Sequence, residues 1–242
     1  MRTATIVLAD SHQLFTQGLR MLLEAREGLN VIDMVIDGFA ALESCQQHRP
    51  EVLIIDAGIP GLDAMEVCRQ LGRFSSPTRV LLLMSCIQHE RMAQAVKYGA
   101  LGVVLKTASV EQLYSGLEAV LSGQKRFPAE LTPAHGTYVR TGDVSEMVTP
   151  YSRLTARERT VFKLLAEGHS VKQVASRLEL KPKTVDVHKT NLMRKLDVHD
   201  RGELIHFAYR EGLVDMTATV GSSSPVAVFE ESSSAVPSGQ EL

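Results

Sequence analysis

The sequence predicts a two-part chain. A doubly wound α/β domain with a (βα)5 parallel sheet comes first, and a small all-α four-helix helix-turn-helix domain follows. Short apolar runs alternate with amphipathic segments over residues 1–122, as parallel sheets require because each crossover carries a helix. Residues 151–216 switch to helical spacing with cap signals. A chain of 242 residues with 44% hydrophobic content is long enough to bury two cores.

In chain order, strands are expected at Ala4–Ala9, Val31–Ile36, Val52–Asp56, Arg79–Met84 and Gly102–Leu105. Helices are expected near Gln13–Ala25, Gly38–Gln47, Ala64–Arg73, Glu90–Tyr98 and Val110–Leu121. Leu14, Leu19, Leu22 and Leu23 keep helical spacing in the first helix, as do Leu113, Leu117 and Val120 in the fifth. Asp10, Asp56 and Lys106 close the first, third and fifth strands. Sheets of this kind place their sites at the C-terminal strand ends beside the topological switch point. A single Asp there commonly caps a turn, whereas two carboxylates and an ammonium at three strand ends point to one site.

Residues 123–150, with Pro128, Pro133, Gly136 and Gly142, read as a linker. Beyond it, Leu154, Val161, Leu164 and Leu165 form an inward stripe, with Thr155 and Glu158 spaced as a capping box and Gly168 as the stop. Val171–Leu178 follows as a scaffold helix. Pro182 leads into a third helix, where Val185, His188, Leu192 and Leu196 share the packing face. Arg201–Glu211 is the fourth helix and a candidate dimer element. Residues 217–242, rich in Ser, Pro, Val and Glu, are expected to be a disordered tail.

The overall charge of −2 is unevenly spread: −3 over 1–122, zero over 123–150, +4 over 151–216 and −3 over 217–242. The rear module is thus the part suited to phosphate. On its third helix, Lys181, Lys183, Thr184 and Lys189 are assigned mainly to DNA phosphates. Asp186 can accept from a cytosine amino group, Val187 can meet a thymine methyl, and Thr190 suits either task. Double-stranded DNA with paired half-sites is the expected partner, bound by a homodimer because one such module is small. Cys45, Cys68 and Cys86 are too few and too scattered for a disulfide frame or a zinc site. With neither a leader pattern nor a membrane-length apolar run in the sequence, a cytoplasmic protein is expected. No nucleophile–base pair or metal triad suggests an enzyme.

VLADSH, LIIDAGIPGLDAMEV and KYGALGVVLK resemble the acidic-pocket, phosphoacceptor and lysine motifs of response-regulator receiver domains. Taken with residues 150–214, the chain is similar to the NarL/FixJ class, whose output module is a LuxR-type helix-turn-helix. The resemblance covers about residues 3–122 and 150–214. It implies that Asp56 is the phosphoacceptor, Asp10 an acidic-pocket residue and Lys106 the phosphoryl-contacting lysine.

Three positions depart from the family pattern. Ser11 stands where the family has a second acid that ligates Mg²⁺. Mg²⁺ favours carboxylate and water oxygens, and a unit-charge pair at contact is worth about 4 kcal/mol at an effective dielectric near 20. Mg²⁺ is therefore expected at most weakly, at Asp10 and Asp56, and no cofactor is required. Met84 replaces a Ser or Thr hydroxyl that bonds the phosphoryl group, and a thioether cannot donate. Val103 replaces a rotating aromatic ring.

The expected function is a sequence-specific DNA-binding transcriptional regulator. Its atypical receiver domain is controlled independently of ordinary aspartyl phosphorylation. One alternative is a conventional two-component response regulator switched at Asp56; another is a receiver-mediated protein-interaction adaptor. RNA polymerase and a sensor kinase stay open as partners.

Overall fold

The structure, a computed structural model, describes residues 3–74, 76–87, 89–128, 150–211 and 213–214. The expectations for most of the linker and for the tail lie outside the described residues. Five parallel strands, β1 (Ala4–Ala9), β2 (Leu29–Val35), β3 (Val52–Asp56), β4 (Arg79–Met84) and β5 (Gly102–Leu105), form one sheet in the order β2-β1-β3-β4-β5. The crossover helices are α1 (Gln13–Glu24), α2 (Gly38–His48), α3 (Ala64–Arg73) and α4 (His89–Lys97), and α5 (Val110–Leu121) follows the last strand. β2 starts two residues earlier than the periodicity suggested, because Ala4 pairs with Leu29 and a register shift lies between Ile6 and Val7.

β3 is buried throughout, as expected of a central parallel strand covered by helices on both faces. Cores lie on each face: Val7, Leu53, Ile55, Met65 and Leu82 on one, and Ile6, Leu8, Ile54, Leu81 and Leu117 on the other. In α5 the expected stripe of Leu113, Leu117 and Val120 is buried. In α1 the expectation is corrected. Leu19 and Leu23 are buried, but Leu14 is 86% and Leu22 39% exposed. The inward stripe of α1 is narrower than its apolar content. Leu14 and Leu22 instead line a surface cleft shared with Leu105 and Val110.

A short 3-10 turn (Tyr151–Arg153) opens the second module, followed by α6 (Ala156–Ala166), α7 (Val171–Arg177), α8 (Pro182–Leu196) and α9 (Arg201–Arg210). Thr155 caps α6 through a reciprocal box with Glu158, and Ser170 does the same for α7 with Gln173. Phe162 is fully buried, with Tyr151 at 6.0 Å and Phe207 at 5.9 Å between ring centroids. Around them pack Leu154, Leu165, Val174, Leu192 and Leu204. Unlike a one-sided amphipathic helix, α6 is buried over most of its circumference, because the sheet domain covers the side that the four-helix core leaves open.

Candidate functional site: a carboxylate pocket and a DNA-facing helix

β1 sits between β2 and β3 at the point where the strand order reverses, so the loops leaving β1 and β3 diverge and open a crevice. Asp10 follows β1, Asp56 ends β3 and Lys106 follows β5. The structure brings all three together. Lys106 Nζ lies 2.8 Å from Asp10 Oδ2 and 3.0 Å from Asp56 Oδ1. Asp10 Oδ2 has no aligned hydrogen bond, so its contact with the ammonium is ionic. Asp10 also does the ordinary turn-capping job: its Oδ1 accepts from the His12 N–H at 2.8 Å and meets His12 Nδ1 at 2.7 Å. Burial pushes the Asp56 carboxyl above the usual carboxylate range and Asp10 adds to this, while Lys106 and His12 pull it back.

His12 was missed from the sequence. A histidine two residues beyond a strand-end aspartate usually just begins the next helix. Asp10, His12 and Asp56 offer one nitrogen and two oxygens within 4.8 Å of one another. This set does not suit Mg²⁺, which prefers an all-oxygen octahedron. Ser11 contributes no charge, the His12 ring is engaged by Asp10, and Lys106 already offsets one of the two carboxylate charges. Met84 and Val103 are buried in β4 and β5, while Ser85 is exposed just beyond β4. The neighbouring hydroxyl therefore does not take Met84's inward position.

Nearby, the loop that leaves Asp56 runs to the helical domain. Arg91 donates to Ala57 O and, at 2.9 Å, to Asp63 Oδ1. Lys163 of α6, with no exposed surface, donates to Ile59 O and lies 3.7 Å from Asp63. Glu167 accepts from the Gly61 N–H at 3.0 and 3.1 Å. Gly61 has φ +78°, and a side chain there would press on Phe39 at 3.1 Å and on Arg177 at 3.4 Å. At the rim, Arg177 pairs with Asp37 at 3.1 Å and Arg159 donates to Tyr98 Oη at 3.0 Å. None of these partners is visible in sequence spacing. Lys163 of α6 and Glu167 at its C-cap carry no mark of this contact in the sequence.

Burial pushes Asp63 upward, but Arg91 and Lys163 outweigh it and hold the carboxyl low. Burial lowers Lys163 against the pull of Asp63 and Glu167. Glu167 is pushed up to about 7 by burial, against Lys163, the Gly61 N–H and Arg177. A carboxyl raised by docking favours the docked state below its ordinary value of 4.5, and that support is lost as pH rises to about 7. His169, 4.0 Å from Glu167 and lowered by burial and Arg177, acts in the opposite sense as pH falls. Exchange protection of the Gly61 amide, corrected for intrinsic rate, should therefore decline between 4.5 and about 7. In Glu167→Gln the decline should be absent; an equal decline there would show that Glu167 is not the titrating group.

On α8, Lys181, Lys183, Thr184, Asp186, Val187 and Thr190 are exposed and Lys189 is half-buried. Val185, Leu192 and Leu196 are buried and His188 is half-buried, matching the packing face read from spacing. Val187, a branched apolar residue, is 53% exposed at the middle of the outward face. Thr190 Oγ1 donates to Asp186 O at 3.0 Å, which leaves its lone pair and methyl group for an incoming base. Lys195 is committed elsewhere, bonding Glu158 at 2.6 Å.

Comparison with known proteins agrees with both halves. Residues 6–118 match the family model described as response regulator receiver domain, and residues 152–208 match bacterial regulatory proteins, luxR family. The oxygen regulatory protein NreC of Staphylococcus carnosus is 31% identical, over 87% of this chain and 99% of its own. The transcriptional regulatory protein LiaR of Bacillus subtilis is 30% identical with the same coverage. In fold, the RcsB response regulator of Salmonella typhimurium matches 87% of this chain and 99% of its own, with a TM-score of 0.60 at 24% identity.

Proposed function

Because this chain belongs to the NarL/FixJ class of response regulators, DNA-binding transcription regulators of two-component type, we propose that its receiver works without the ordinary aspartyl-phosphate switch. The observation that carries this reading is Met84, whose buried thioether cannot donate to a phosphoryl group, beside a pocket that has Ser11 in place of a second acid and in which Lys106 offsets one of the two carboxylate charges. A cation already in contact with both carboxylates weakens the attraction for a second one. With Met84 and Val103 in place, neither the phosphoryl-bonding hydroxyl nor the rotating ring is available. A hydrogen bond to a charged group is worth roughly 1.5–3 kcal/mol, about the size of a typical allosteric coupling, so its loss is enough to disable the switch.

In this reading Asp10, Ser11, Asp56 and Lys106 form a structural or ligand-responsive pocket, and α8 reads the major groove. Lys181, Lys183, Thr184 and Lys189 hold phosphates, while Asp186, Val187 and Thr190 face base edges. The α1/α5 face, with Leu14, Met21 and Leu22 exposed, supplies the apolar surface for a homodimer on paired half-sites.

A second reading, conventional switching at Asp56, is favoured by the approach of Lys106 to that carboxylate at 3.0 Å. Incubation with Mg²⁺ and a small phosphodonor, followed by intact-mass measurement, separates the two. The expected result is no stoichiometric modification of Asp56 and no gain in DNA affinity. Stoichiometric modification that raises dimer or DNA affinity would decide for the conventional switch.

A further inference from the structure

We propose that the loop from Ala57 to Asp63 is the element coupling the receiver to the DNA-binding domain, with Lys163 and Glu167 as the residues that read it. The proposal rests on the reading above that the receiver pocket is ligand-responsive and that α8 binds DNA.

Four alternate positions of this loop are held from outside it. Arg91 holds Ala57 O, Lys163 holds Ile59 O, Glu167 holds the Gly61 N–H, and Arg91 and Lys163 together hold Asp63. Two of the three gripping residues belong to the helical domain, Lys163 on α6 and Glu167 at its C-cap. The loop begins at the residue after Asp56, so an event at that carboxylate reaches α6 through backbone contacts. It needs neither the hydroxyl absent at Met84 nor the ring absent at Val103.

The seam is also built to part. Arg91 Nε and Nη1 and Tyr151 Oη are buried there without a hydrogen-bond partner among the described residues. A partly satisfied buried network is a weak glue, because each orphaned group would gain water on opening. Docking leaves the outward residues of α8 uncovered, Val187 being 53% exposed. The seam therefore sets the position of the reading helix relative to the receiver and does not hide it. Coupling of this kind is reciprocal: a change on either side must be felt on the other.

Amide hydrogen exchange in the full-length protein tests this, read on residues 57–63 and on α6. Lys163→Met, made in the helical domain, should speed exchange across 57–63 by about tenfold or more, since it removes the donor to Ile59 O and one of the two cations beside buried Asp63. Asp63→Asn, made in the receiver, should speed exchange in α6. Arg177→Ala at the rim removes the Asp37 pair and the stacking on Phe39 but no fully buried group, so it keeps the test open if a buried variant misfolds. It should shift both regions the same way by about two- to fivefold.

Salt-dependent retention of the same variants on mixed-sequence double-stranded DNA supplies the output. Cross-domain exchange accompanied by altered retention is the expected result. Exchange changes confined to the substituted domain, or cross-domain changes with retention unaltered, would overturn the proposal. Wild-type protein is measured first, and its failure to be retained would count against DNA binding itself rather than against the seam.

Discussion

Phe162→Ala should cost the helical domain about 3–5 kcal/mol, the usual loss for a fully buried aromatic ring. The ring has no exposed surface, and Tyr151 and Phe207 pack around it at about 6 Å. No single neighbour can collapse into the space, because these contacts come from the opening turn, α6 and α9 together. Since whole domains are stable by only about 5–15 kcal/mol, the loss takes most of the margin of a module this small. Urea unfolding followed by far-UV circular dichroism should show the helical domain melting early while the sheet domain, with its separate cores, unfolds later. DNA retention should fall with it. A loss below about 1 kcal/mol would mean that the domain repacks and that Phe162 is not central to it.

The second large effect concerns recognition. Lys183→Ala combined with Lys189→Ala should lower DNA affinity on the order of 100-fold for each half-site, taking about 1.5 kcal/mol for each charge-assisted phosphate contact. The dependence of log affinity on log salt should become shallower by nearly 4 for the dimer, because two phosphate neutralisations are lost in each protomer. The loss should be similar on every DNA sequence, since phosphate contacts position the protein without reading bases. Arg20→Ala is the control: Arg20 pairs with Glu24 on the receiver surface at 2.8 Å and should leave the salt slope unchanged. If the double variant kept both its affinity and its slope, α8 would not be the reading helix, and the adaptor alternative would gain.

Much of the fold was legible because its signals are local and periodic. The five strand-and-helix repeats, the Thr155–Glu158 box and the Pro182 helix entry each need only a few neighbouring residues. The same holds for the three charges at strand ends, since parallel topology sends all C-terminal strand ends to one edge. The misreadings have a common cause. Leu14 and Leu22 keep helical spacing, but spacing cannot say how wide a stripe the sheet will cover. His12 carried no signal of its own, and only its 2.7 Å approach to Asp10 ties it to the pocket.

The sequence by itself determined that a sheet domain with Asp10, Asp56 and Lys106 at its strand ends precedes a helical domain with a basic reading helix. It also placed Ser11, Met84 and Val103 at three positions where the family pattern has other residues. Only the tertiary structure decided where Lys106 places its charge, and that Lys163 and Glu167 leave solvent to hold the loop after Asp56. The reason is physical: helix and strand patterns follow from backbone geometry within a few residues. The burial of a lysine depends on a surface 104 residues away in the chain, whose position no local period encodes.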